Sequence, residues 1–253
     1  MNELLAGELL RQKLRPHYLE LLNAIAATPP KEKNLTVFSP LVGSHFNRSQ
    51  SGLLICGRAV DSWRNLLQPD SSIENSLEKI FKIPNEDIES RCEMNWIQRN
   101  RKAWPTDKNN KYNYKSSSFW SCSRDVVKAL EGSSDINESN WQSRVAWSNI
   151  YKVSPHSGGN PGDSLRSTQF QHCIDILRTE ITILEPKNIL FVIGDWGKKI
   201  LAAIDVHVDY EKRNIVQYTG RVGKANVVVA VRPERLKRKY WVNEVVSAFK
   251  RLH

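Results

Sequence analysis

Three short apolar runs end in polar residues of types that do chemistry. The first, Leu53-Leu54-Ile55-Cys56, closes on Gly57-Arg58-Ala59-Val60-Asp61, where a glycine suited to a tight turn precedes a carboxylate. Asp61 reads in two ways: as a helix N-cap that accepts from orphan amides, or as a carboxylate held above a sheet. A second run, 145–150, carries Asn149 near its end and continues through Tyr151-Lys152-Val153-Ser154-Pro155-His156 into a glycine-rich stretch at 157–162. Asn149 reads as a turn former or as a ligand whose carboxamide offers donor and acceptor together. Lys152 can point either way. A further run, 227–231, opens into Arg232-Pro233-Glu234-Arg235-Leu236-Lys237-Arg238-Lys239, five cations in eight residues. Such a run is a solvated face or, at a strand end, an anion site.

These ends need strands to position them. With Ile189-Leu190-Phe191-Val192-Ile193, closed by Gly194, there are four continuously apolar runs, each suited to a buried strand. A helix is predicted over about 164–184, ended by Glu185-Pro186, and helices over 197–204 and 240–252 follow the third and fourth runs. Strands alternating with helices predict an α/β fold: a central parallel four-stranded sheet flanked by helices, with ligands at the strand C-terminal ends. Residues 1–27 carry apolar positions at helical spacing, broken at Pro16, and predict two N-terminal helices.

The stretch from about 62 to 144 departs from this pattern and reads as an insertion. Between Asn95 and Trp120, six aromatics interleave with six basic residues, and Asp107 is the one acidic residue. This composition suits a platform for flipped bases or a single strand, and equally a local subdomain whose aromatics pack while its lysines face water.

The chain has 253 residues, with 37 Lys+Arg against 27 Asp+Glu, a net charge of +10. Solubility or attraction to a polyanion accounts for that excess. No apolar run approaches the roughly 18–20 residues of a membrane span, and the N-terminus reads as an amphipathic helix without a signal-peptide core. Cys56, Cys92, Cys122 and Cys173 lie far apart and without zinc-ligand spacing, so reduced thiols and a cytoplasmic location are expected. A single domain spanning 1–253 is expected, without a P-loop or a G-x-G-x-x-G turn.

Taken in order, these motifs resemble the uracil-DNA glycosylase superfamily over roughly residues 40–60 and 144–252. The best stretch is similar to its iron–sulfur branch, where T-N-x-V-K-C-R-P-P precedes a helix with an internal cysteine and then P-K-x-I-x-x-x-G. Here the corresponding residues are Ser148-Asn149-Ile150-Tyr151-Lys152-Val153-Ser154-Pro155, then Cys173, then Pro186-Lys187-Asn188-Ile189 to Gly194. The later H-P-S-x-L motif is similar to the stretch ending in Leu236, after Tyr218-Thr219-Gly220-Arg221-Val222-Gly223.

The resemblance implies a three-layer α/β/α fold and a DNA partner, with no membrane partner and protein partners left open. It implies an enzyme that flips a pyrimidine out of DNA and hydrolyses its N-glycosidic bond to leave an abasic site. Asn149 would read the base edge, and Gly57, Arg58, Ala59, Tyr151 and His156 would line the base pocket. Ser154, Arg235, Leu236, Lys237, Arg238 and Lys239 would hold DNA, with Leu236 as a wedge in the stack.

Several positions depart from the family. Arg58 and Ala59 stand where it has Gln or Glu and then Asp, leaving Asp61 as the nearby carboxylate to direct water or stabilise the sugar cation. Arg232 replaces the motif His that supports charge on the departing base. Val153 stands at one cluster cysteine's place and the N-terminal cysteine pair is missing, so no metal, cluster or other cofactor is expected. A rebuilt pocket favours a modified cytosine of phage DNA, removed in antiviral defence. The alternatives are uracil excision in DNA repair and a DNA-binding module that has lost catalysis.

Overall fold

The structure is a computed structural model that describes residues 6–32, 34–60, 63, 66–67, 71–82, 92–95, 97, 117–211 and 214–252. In chain order the elements are α1 (Ala6–Ala27), β1 (Leu35–Val37), β2 (Leu41–Val42), β3 (Leu53–Gly57), β4 (Leu66–Leu67) and α2 (Ile73–Phe81). Then come α3 (Ser118–Glu131), β5 (Val145–Asn149), β6 (Val153–Pro155), α4 (Asp163–Leu184) and β7 (Asn188–Val192). The chain ends with α5 (Gly197–Ala203), β8 (His207–Glu211), β9 (Val216–Val222), β10 (Ala225–Ala230) and α6 (Arg238–Leu252).

The chain divides into two compact units. The first comprises Met1–Pro40, Gly57–Ile83 and Ser148–Glu185. Its sheet is antiparallel, with order β4-β1-β6, and α1 packs along α4 and α2. Where two helices were expected, α1 runs unbroken through Pro16. A proline inside a helix costs about 3 kcal/mol or more. Burial of Leu10, Leu14, Tyr18, Leu21, Leu22 and Ile25 on one face offsets that cost, and Pro16 lies on the exposed face.

The second unit comprises Leu41–Cys56, Pro84–Trp147 and Pro186–His253. Its sheet corrects the expected four-stranded parallel one: it has seven strands, is mixed, and runs β2-β5-β3-β7-β10-β9-β8. The four apolar runs are its neighbouring inner strands, in the order second, first, third, fourth, and all are buried throughout. β3 and β10 pair parallel with β7. The additions are antiparallel: two-residue β2 on β5, and β9 and β8 beyond β10. The glycine-rich motif at 218–223 is mostly strand rather than turn. Gly220 sits within β9, where a Cβ would lie 2.2 Å from the His207 carbonyl oxygen, so the two strands approach only because that side chain is missing. Against this sheet, α6 packs on β10 and β9 and also contacts α3.

Of the insertion, α2 belongs to the first unit and α3 to the second. Most of its aromatic and basic stretch, residues 96 and 98–116, lies outside the described residues. Trp120, at its end, is buried and packs edge-on against Trp147 at 4.9 Å and beside Trp141, so for this residue packing is the role observed. Among the described residues no helix is long and apolar enough to cross a membrane.

Candidate functional site

Within the first unit, the segments that leave β3 and β5 run side by side. Ile150 N–H donates to the Gly57 carbonyl at 2.9 Å and Tyr151 N–H to the Arg58 carbonyl at 3.0 Å, so Gly57, Arg58, Asn149 and Tyr151 are brought together. Gly57 keeps strand conformation outside the left-handed region and makes no tight turn. Arg58 and Ala59 are half-buried beside it. Asp61 lies outside the described residues.

Asn149 is 2% exposed, and among the described residues its Nδ2 has no hydrogen-bond partner. A buried amide donor left unmade costs about 1–3 kcal/mol, which sets it apart from the great majority of buried polar groups. A turn-forming asparagine spends its side chain on nearby backbone; this one keeps a donor in reserve. Tyr151 is buried, and desolvation pushes its phenol up while Arg166 pulls it down.

Ser154 is fully buried in β6 and donates to the Val60 carbonyl at 2.9 Å, so its hydroxyl holds the chain that follows β3. Facing a DNA phosphate, as expected for it, is not what this placement offers. His156, half-buried just after β6, donates its backbone N–H to the Asn34 carbonyl at 2.8 Å.

Lys152 points inward. It is fully buried, and Nζ donates to Ser148 Oγ at 2.6 Å, the Asn149 carbonyl at 2.7 Å and Glu180 Oε1 at 2.6 Å. Glu180, on α4, is a residue of this network that the sequence motifs do not include. Its signal was there: Leu165, Gln169, Cys173, Ile176, Leu177, Glu180 and Leu184 share the buried face of that helix, so a carboxylate falls in an apolar stripe. Burial, then the Glu180 charge, pushes the Tyr18 phenol up, and its hydroxyl donates to the Phe38 carbonyl at 2.6 Å. The Gln169 carboxamide both donates to the Val153 carbonyl and accepts its N–H, pinning β6 to α4.

The second unit holds the cationic turn. Trp241, wholly buried, donates from Nε1 to the Val231 carbonyl at 2.8 Å and closes the base of the turn between β10 and α6. Arg232 is half exposed and paired with Glu234 Oε1 at 2.7 Å. Arg235 adopts a left-handed backbone with φ 66°, which for a residue with a Cβ costs about 1–2 kcal/mol. Leu236 follows at 41% exposure, with its N–H on the Pro233 carbonyl. Arg238 pairs with Asp125 of α3. Arg235, Lys237 and Lys239 are exposed and form no ion pair among the described residues.

Cys56, Cys92, Cys122 and Cys173 are buried free thiols, and burial pushes Cys173 up to about 12 and Cys122 to about 11. Among the described residues no three His, Cys, Asp or Glu side chains converge as a metal site. The chain matches no family model, and no curated protein matches it in sequence.

Proposed function

We propose that this protein is a monofunctional DNA glycosylase. It takes a pyrimidine out of the stack, reads its edge with Asn149 and leaves an abasic site, and its substrate is a modified cytosine of phage DNA. The observation that carries the reading is Asn149, a buried carboxamide at a strand end with Nδ2 unpartnered among the described residues. An open donor beside an acceptor on the same planar group is what recognition of a pyrimidine edge requires.

The reaction joins the oxygen of water to C1′ of the sugar as the C1′–N bond breaks. Its electron pair leaves with the base, and the water proton ends on the base. The barrier falls if the developing sugar cation and base anion are both stabilised. In this reading Asp61 serves the cation and the attacking water. Arg232 serves the departing base, the place the family resemblance gives it.

The cationic turn supports a DNA partner. It displays Arg235, Lys237 and Lys239 around an exposed leucine, a combination suited to phosphates and an unstacked base step. The test is an abasic-site assay on phage DNA with modified cytosines and on uracil-containing DNA, read as alkali-labile breaks. Breaks in the phage DNA alone support the reading. Breaks in uracil DNA move the protein to ordinary repair, and DNA binding with both substrates intact leaves a binding module.

A further inference from the structure

The three ammonium protons of Lys152 are distributed unevenly. One goes to Glu180 on α4, and the other two go to consecutive residues at the end of β5, Ser148 Oγ and the Asn149 carbonyl oxygen. The lysine therefore fastens the peptide of Asn149 to a helix through an enclosed ion pair, both partners being 0% exposed. Its own backbone is held from the same helix, its N–H donating to Cys173 Sγ at 3.4 Å. Two atoms of this network have no partner among the described residues, Asn149 Nδ2 and Glu180 Oε2. A buried ion pair is weak support for stability, since apolar residues of similar volume fill such a space as well or better. Its directed hydrogen bonds are what an apolar pair does not supply.

We infer that Lys152 and Glu180 are positioning residues for Asn149. By holding its peptide they give the carboxamide one orientation, and through it they set which pyrimidine is accepted. What is discriminated rests on the glycosylase reading; that Asn149 is positioned rests on the three distances alone.

The test is the double variant Lys152→Met/Glu180→Leu, since either single apolar change leaves a buried charge alone. Three quantities are measured on the full chain: the melting temperature, the Asn149 side-chain amide signal in nitrogen-15 NMR, assigned with Asn149→Asp, and excision kinetics. The expected variant folds and binds unmodified duplex as the wild type does. Its Asn149 amide pair shifts or broadens while other asparagine side chains do not. Its kcat falls on the order of a hundredfold with KM little changed, the loss typical of a misplaced group. Its preference between modified cytosine and uracil narrows.

A folded double variant with the wild-type amide signal, kcat and preference overturns the inference. If the wild-type protein excises neither base but the amide signal still moves, the glycosylase reading falls and the positioning stands. Should the double variant not fold, Lys152→Gln/Glu180→Gln keeps a neutral hydrogen-bonding pair while shortening the side chain that reaches the Asn149 carbonyl. An unmoved Asn149 amide in that variant overturns the inference too.

Discussion

Arg238 donates from Nε to Asp125 at 2.6 Å, across 113 residues of sequence, and so the first turn of α6 is tied to α3. The pair couples the cationic turn to its support, and it also withdraws one positive charge from what the turn offers a polyanion.

Removing that restraint should strengthen DNA binding. Asp125→Asn releases the Arg238 guanidinium and raises the net charge by one, so affinity for duplex should rise. The slope of log K against log salt should steepen by up to about 0.9, the value of one added phosphate contact. Lys237→Ala should flatten that slope by a similar amount and Arg238→Ala by less, because Arg238 is already partly neutralised. A salt titration of all three variants checks the order. An Asp125→Asn protein with lower affinity and an unchanged slope would remove the turn from the DNA interface.

Leu236 is displayed at 41% exposure after the left-handed Arg235. If it fills the gap left by an extruded base, Leu236→Ala should slow excision more on duplex than on single strands, where no stack has to be opened. Since the side chain is partly exposed, unfolding stability should change by less than about 0.5 kcal/mol. Equal loss on both substrates removes the wedge role.

Glu131 gives the stability of the second unit an acid limb. Burial raises its pKa, but hydrogen bonds outweigh that and leave it lowered: Ser49 and Ser51 donate from their hydroxyls, and Ser51 and Gln50 from their backbone N–H groups. A carboxylate with a depressed folded pKa contributes stability that is full above its unfolded value, near pH 4.3, and is lost as pH falls through the folded one. Glu131→Gln should therefore be less stable than the wild type at neutral pH, with the gap closing below about pH 4. Urea unfolding at a series of pH values measures it, and a gap that does not change with pH contradicts the assignment.

The four thiols should resist modification. Burial raises Cys173 and Cys122 far above neutral pH, so almost no thiolate is present and no path leads to it. A disulfide reagent such as Ellman's should react at the rate of unfolding, and a fast-reacting thiol in the native protein would contradict the buried placement.

The four inner strands were legible because each is an apolar run long enough to be read without its neighbours, and α4 because Glu185-Pro186 ends it. The edges were not. β2 has two residues, and β9 mixes buried Val216, Thr219 and Gly220 with half-buried or exposed Gln217, Tyr218 and Arg221. Such a strand exists because β10 and β8 flank it, which no local pattern states. Pro16 misled for the same reason, tertiary burial overriding a local breaker. In the candidate site, Asn149 was legible by residue type at a strand end, but its unpartnered Nδ2 was not. The sequence leaves the direction of Lys152 open, because a lysine's four-carbon stem permits both; Glu180, 28 residues away, decides it.

The most direct test of the central claim is the release of free base from DNA, followed by mass spectrometry, for the wild type and Asn149→Ala. Because Nδ2 makes no bond among the described residues and an unmade buried donor costs about 1–3 kcal/mol, the substitution should leave the protein about as stable as the wild type or more so, and lost activity cannot be laid to unfolding. The account predicts a modified cytosine base released from phage DNA by the wild type, one per abasic site, and none by Asn149→Ala. Equal release by both proteins, or no base released from either phage or uracil DNA, would contradict it.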